Sequence, residues 1–190
     1  GDSVARVREL ENIRNFLTYI LPSNIPELVP DLAFAFARMP LALTVIQILA
    51  VDLGTDMVPA LGLGAEPAHA GFMQRPPRSR EDRLLTPGLL VRAYVFLGVM
   101  EAVAAMAAFT SGLIGGGWHW GSELSTTDPL YRQATAACLI AIVLMQVVNV
   151  HLCRSRRASL FTIPLWGNRL ITAGIVVELC VVLLIAYTAI

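Results

Sequence analysis

The residues of this chain that could do chemistry lie inside its apolar stretches. LALTVIQILAVDLGTDMVPAL, from Leu41 to Leu61, is long and apolar enough to cross a bilayer, yet Asp52, Thr55 and Asp56 fall in its middle. A carboxylate at that depth costs at least ~2.5 kcal/mol, so an intramembrane acid is by default a functional group. Asp52 and Asp56 are four residues apart and share a helix face. Unrelieved like charges there repel, so a proton or a bound cation must sit between them. Gly54 lets another backbone approach, and Pro59 withholds an amide and frees the carbonyl of Thr55. Carboxylates, a hydroxyl and a freed carbonyl are hard oxygen ligands of the kind that hold alkali and alkaline-earth cations. The stretch reads as half of a cation site.

A second polar cluster precedes it. LPSNIPELVPD, Leu21 to Asp31, places three prolines in an apolar stretch, with Pro26 freeing the carbonyl of Pro22 and Pro30 that of Pro26. Ser23, Asn24 and Glu27 sit at spacings of three and four, near the same face as those carbonyls. Broken helices with polar groups at mid-membrane are how transporters build ion sites. Glu27 is eleven residues before Arg38 and Asp52 twelve after Pro40, so across the short turn Arg38–Met39–Pro40 they reach similar depth at about 1.5 Å per residue. Glu27 is therefore expected to face Asp52 or Asp56, the three acids converging with carboxyl oxygens within reach of one shared cation or bridging water. Further along, Gln146 and Asn149 lie three apart on one face, as neutral ligands or as helix–helix hydrogen-bonding groups. Glu101 has no polar neighbour at helical spacing; pairing with another helix, proton binding and packing all stay open for it. Glu178 is the charged residue of the last apolar stretch.

The elements that must position these groups are transmembrane helices. The 190 residues are 56% hydrophobic and 15% charged, a membrane composition. Five spans are expected, at about 16–37, 41–61, 89–113, 134–152 and 170–189: an all-α membrane bundle, preceded by a polar stalk helix over 1–15. That stalk continues into the first span without glycine, proline or turn cluster, as a mechanical link to something soluble or as a solvated helix end. Residues 62–87 read as a cytoplasmic loop containing MQRPPRSREDRLL, Met73 to Leu85, and RSRRAS, Arg154 to Ser159, as an inner-leaflet basic cluster. All fourteen basic residues are Arg. With the N-terminus in the cytoplasm only Arg38 and Arg132 fall outside, and the split of twelve to two sets that orientation. Gly115–Leu130 is an outer loop whose WHW, Trp118–Trp120, reads as an interfacial anchor, with His119 wet. Cys138, Cys153 and Cys180 have no metal-type spacing and read as packing residues.

SNIPEL, VDLGTDMVPALGLG, MQRPPRSRED and MQVVNVHLCRSRRAS, in this order, resemble the C-terminal membrane half of cation-transporting P-type ATPases, in the branch of the sodium/potassium, proton/potassium and calcium pumps. The similarity runs from about Glu11 to Ile190. It implies the fifth to ninth helices of a ten-helix pump. By resemblance, cation ligands carry over to Ser23, Asn24, Glu27, Asp52, Thr55, Asp56, Gln146 and Asn149, and Glu178 matches an acid of a further sodium site. Asp52 with Ser23 and Pro26 resembles the sodium/potassium and proton/potassium pumps, whereas Asn149 resembles the calcium pumps.

The expected function is thus the membrane part of an ATP-driven pump for Na+, K+, Ca2+ or H+, lodged in lipid in a bacterial plasma membrane. The sequence contains no DKTGT phosphorylation motif, no nucleotide-binding domain and no fourth helix with PEG-type ligands. The chain is therefore expected to be a fragment with no catalytic residue of its own, whose partners are the missing actuator, phosphorylation and nucleotide domains and first four helices. ATP and Mg2+ belong to the full-length parent, and no nucleic acid is expected. The competing expectations are a stand-alone small cation transporter or channel, and a membrane remnant without transport.

Overall fold

A 22-residue helix, α1 (Asp2–Ser23), carries the polar N-terminal stretch unbroken into the apolar core. In the computed structural model residues 2–66, 84–154 and 166–188 are described, with side chains from residue 7 onward. Arg75, Arg78, Arg80, Arg83, Arg156 and Arg157, with most of the two basic runs that hold them, lie outside the described residues. Among those described, every regular element is a helix. After α1 come α2 (Ile25–Ala37), α3 (Val45–Gly64), α4 (Pro87–Gly115), α5 (Pro129–Arg154) and α6 (Arg169–Thr188).

The last four are long and apolar enough to cross a membrane. The first expected span, 16–37, is instead two helices that part at Asn24. Pro26 occupies the first turn of α2, where its missing amide is no loss. At 13 residues α2 is shorter than the ~20 a spanning helix needs, and α1 is polar over half its length. α2 stops at Arg38, whose φ of 52° is left-handed, a conformation that no continuing helix tolerates.

The second span begins at Val45 rather than Leu41. Thr44 and Gln47 form a capping box: the Thr44 hydroxyl accepts from the Gln47 amide, and the Gln47 side chain accepts from the Thr44 amide at 3.0 Å. Met39, Ala42 and Leu43, expected at the turn and in the span, are buried in the connection and plug the bundle end. The expected loop 62–87 is also shorter at both ends, because α3 runs to Gly64 and Thr86 caps a helix that Pro87 opens. Within α3, Val51–Asp56 winds as a π-helix. A π turn shifts donor–acceptor pairing by one residue, the adjustment that the amide missing at Pro59 calls for. A second π segment, Val91–Gly98, lies in α4.

Packing produces layers along the bundle axis. One apolar cluster gathers Val51, Ala105, Phe109, Cys138, Leu139, Ile142 and Val182 beneath the 39–43 plug. A second holds Tyr19, Ala60, Leu63, Leu97, Val150, Cys153 and Ile171. Each of α3, α4, α5 and α6 places buried polar residues between the members of the two clusters: Thr55 and Asp56, Glu101, Gln146 and Asn149, Glu178. Trp118 closes the first cluster with its indole N–H donating to the Ser122 carbonyl, so only Trp120 is free to serve as the expected interfacial anchor. Cys138 and Cys153 pack in the clusters, whereas Cys180 is exposed.

Close backbone approaches are not where Gly54 suggests, since that glycine meets only the Val181 side chain at an ordinary 3.6 Å. They occur at Gly62, where a side chain would strike the backbone of Ile171, at Gly174 against the ring of Pro59, and at Gly98 against Ile25 and the Pro22 carbonyl. The end of the bundle below the second cluster is tied by a buried polar knot. Arg154 forms a 2.7 Å ion pair with Glu66, and Asn168 donates to the other Glu66 oxygen at 2.6 Å. Asn12 of α1 donates to the carbonyls of Gly64 and Glu66, and Asn15 to that of Arg154. The stalk is thereby fixed to the ends of α3 and α5.

Candidate functional site

Glu27 sits on the first turn of α2, turned inward by the break at Asn24, and is 8% exposed. Its carboxyl meets that of Asp52 on the π segment of α3, side chain to side chain. The hairpin thus brings together the two acids whose depths match in the sequence. Glu27 Oε1 is buried and has no hydrogen-bond partner among the described residues.

Asp56, one turn on, is 4% exposed and has different neighbours: Ser23 and Gln146 lie beside its carboxyl. The Tyr19 hydroxyl is 3.5 Å from Asp56 Oδ1 and 3.4 Å from Glu178 Oε1, both long contacts, and its single proton serves one acid at a time. Thr55 donates to the Val51 carbonyl at 2.7 Å and lies 3.3 Å from Gln146 Oε1, which fixes the α3–α5 contact at this depth.

Glu27, Asp52 and Asp56 lie within electrostatic reach of one another. Among the described residues no group of three or more His, Cys, Asp or Glu is disposed to hold a metal ion. Glu27 pairs with Asp52, whereas Asp56 is turned toward Tyr19, Ser23 and Gln146. Asp52 is only half-buried, and Asn24, the residue at the break, is exposed on the bundle's surface. Of the nine ligands expected from the sequence, Ser23, Glu27, Thr55, Asp56, Gln146, Asn149 and Glu178 are buried in one layer.

Two members of this layer were not among the expected ligands. Tyr19, 2% exposed, bridges α3 and α6; its period with Ser23 and Glu27 along one face was the available signal. Glu101, 1% exposed, accepts a 3.1 Å hydrogen bond from the Asn149 amide, and its second oxygen is unpartnered among the described residues. Only another helix supplies its neighbour, and sequence spacing within α4 gives no sign of it. His119 is exposed in the connection between α4 and α5.

The arrangement offers at one depth several carboxylates, a phenol, hydroxyls and amides, with no basic side chain among them. Chemically it can hold hard cations or protons; it offers no nucleophile–base pair and no phosphate cradle. Residues 40–190 match a family model described as the C-terminus of cation transporting ATPases. The chain is 30% identical over 202 residues to potassium-transporting ATPase alpha chain 2 of Rattus norvegicus, covering 93% of this chain and 20% of that protein. Sodium/potassium-transporting ATPase subunit alpha-3 of Homo sapiens gives the same identity and coverage. The sodium/potassium-transporting ATPase subunit alpha of Drosophila melanogaster is 33% identical over 176 residues, 80% of this chain and 17% of that protein. The chain spans about a fifth of the length of the curated relatives it matches.

Proposed function

Because the chain belongs to the cation-transporting ATPases, of which it is C-terminal membrane sequence, we propose that its buried polar layer is the cation-binding half of an ATP-driven pump. One observation carries this reading: buried acids of α3, α4 and α6 lie between two apolar clusters, at a depth where an acid without a cation or proton is costly. Glu27, Asp52 and Asp56 supply the charge on the α2–α3 side, and Ser23, Thr55, Gln146, Asn149 and Glu178 complete the oxygen shell. Asn24 and the half-buried edge of Asp52 face outward, where further helices of a longer chain would complete the shell. The cargo is a hard monovalent or divalent cation, Na+, K+ or Ca2+, or a proton exchanged for one.

In this proposal α1 and α2 together make a fifth membrane crossing, the five corresponding to the fifth to ninth helices of a ten-helix pump. The N-terminus is cytoplasmic, as the Arg distribution favours, and the membrane is a bacterial plasma membrane. The partners are the actuator, phosphorylation and nucleotide-binding domains and the first four helices, where ATP and Mg2+ act. Ion flux without ATP, as in a small stand-alone channel, is not favoured for a chain that aligns with a fifth of far longer relatives.

The test uses the full-length protein that contains this chain, reconstituted in vesicles. Asp56→Asn is expected to lower cation-stimulated phosphorylation by at least tenfold while leaving nucleotide binding unchanged. Unaltered cation dependence in that variant would refute the assignment.

A further inference from the structure

Glu101 is the buried acid that the proposed ligand set leaves unused. It lies on α4 one turn beyond the π segment, 1% exposed, at the depth of Asp56 and Glu178. One carboxyl oxygen accepts from Asn149 on α5 at 3.1 Å, and the other, Oε1, is buried with no partner among the described residues. It lies within electrostatic reach of Asp56 on α3, Glu178 on α6 and Glu27 on α2, and the Tyr19 phenol of α1 feels its charge. Among the described residues the groups that act on it from these helices are acids and the Asn149 amide. Glu178, fully buried, likewise keeps one oxygen, Oε2, without a partner among the described residues.

A merely structural glutamate would be satisfied on both oxygens or paired with Arg, as Glu66 is with Arg154. Glu101 is neither. Its bond from Asn149 fixes the carboxyl and leaves the Asn149 carbonyl oxygen available as a neutral ligand. α5 itself brings no acid to this layer, only Gln146 and Asn149.

We propose that Glu101 is a cation-binding carboxylate of the transport site: from α4 it supplies, through its unpartnered Oε1, the negative charge that Asn149 on α5 lacks. The ligand is a hard cation, alkali or alkaline-earth, held between Glu101 and the Glu178–Tyr19 side of the layer, apart from the Glu27–Asp52 pair. The inference rests on the proposed cation-site reading and adds a charged ligand to it.

Equilibrium binding of radiolabelled sodium, rubidium and calcium, each alone, to the purified full-length protein tests it. For whichever ion the native protein binds, Glu101→Gln is expected to lose one bound ion per chain or at least tenfold in affinity. Glutamine keeps the shape and can still accept from Asn149, so packing is preserved. The double variant Glu101→Gln/Asn149→Asp returns a carboxylate to the same hydrogen-bonded pair from the other helix and is expected to restore binding. Binding unchanged in Glu101→Gln but lost in Asp56→Asn would overturn the role of Glu101 and leave the cation-site reading standing. A loss in Glu101→Gln that the double variant fails to restore would also overturn it, as the signature of a packing defect. No binding of any of the three ions by the native protein, or no loss in Asp56→Asn, would bring down the cation-site reading itself.

Discussion

Residues with the same charge do opposite work in this molecule, and their partners decide which. Glu66 and Glu101 are both about fully buried, yet Glu66 holds Arg154 at 2.7 Å and Asn168 at 2.6 Å, while Glu101 accepts from the neutral Asn149 amide. A buried ion pair is weak evidence for stability, but removing one partner leaves an uncompensated charge. Glu66→Ala is therefore expected to destabilise the chain by about 3–5 kcal/mol, because Arg154 stays buried and Asn168 loses an acceptor. Thermal unfolding in nanodiscs measures this. The double change Glu66→Leu/Arg154→Met should recover most of the loss, since neither charge then remains; a double variant as unstable as the single one would place the cost in packing. None of this knot is legible in the sequence, where Glu66 ends a glycine-rich run and Arg154 opens a basic cluster. By contrast Glu27, Asp52 and Asp56 announce themselves, because an acid inside an apolar run of spanning length is costly unless it binds a cation, a proton or a partner helix. Glu101 announces itself too, but its role depends on a partner 48 residues away, and no periodicity reports that.

At the scale of elements, helix existence follows from hydropathy and helix ends follow from caps. The apolar runs foretell α4, α5 and α6 to within a few residues, because in lipid every backbone group must bond within its own helix. Helix starts depart from the apolar runs where a local signal outweighs hydropathy. Thr44-x-x-Gln47 begins α3 four residues late, since a capping box satisfies amides that apolar neighbours cannot. The break of the first span is foreseeable from its prolines, though its place at Asn24, which leaves that residue exposed, is not. The π turn at Val51–Asp56 carries both acids, and Pro59, which withholds an amide from the turn before it, is the expected reason for it. Pro59→Ala restores the amide and is expected to return this turn to α-helical pairing. Asp52 would then rotate away from Glu27, weakening cation binding at least tenfold with little change in melting temperature. Structure determination of the variant together with ion binding decides the matter: a π turn that persists without proline, or binding that is unaffected, would show that Pro59 does not aim the acids.

For the whole molecule, the question is what the layered bundle can do without more chain. The four helices with spanning character enclose the polar layer on the side of α4, α5 and α6. On the other side Asn24 is exposed and Asp52 half-buried, and a row of large apolar residues on α2, including Leu28, Leu32 and Phe36, faces outward. Lipid satisfies the apolar row but offers no oxygen ligand to a cation, so in the proposed site a cation beside Asp52 would have at most part of its shell in the isolated chain. α1 is tied by Asn12 and Asn15 to the ends of α3 and α5, and in the proposed pump it would pass the movement of a soluble partner into the layer. The chain expressed alone is therefore expected to insert as a helical bundle, to bind sodium, rubidium or calcium at least tenfold more weakly than the full-length protein, and to hydrolyse no ATP. Ion binding and ATP turnover, measured side by side on the isolated chain and the full-length protein in vesicles, check this. Native-strength binding by the isolated chain would mean that the exposed edge of Asp52 needs no further helix, and that these 190 residues hold a complete site.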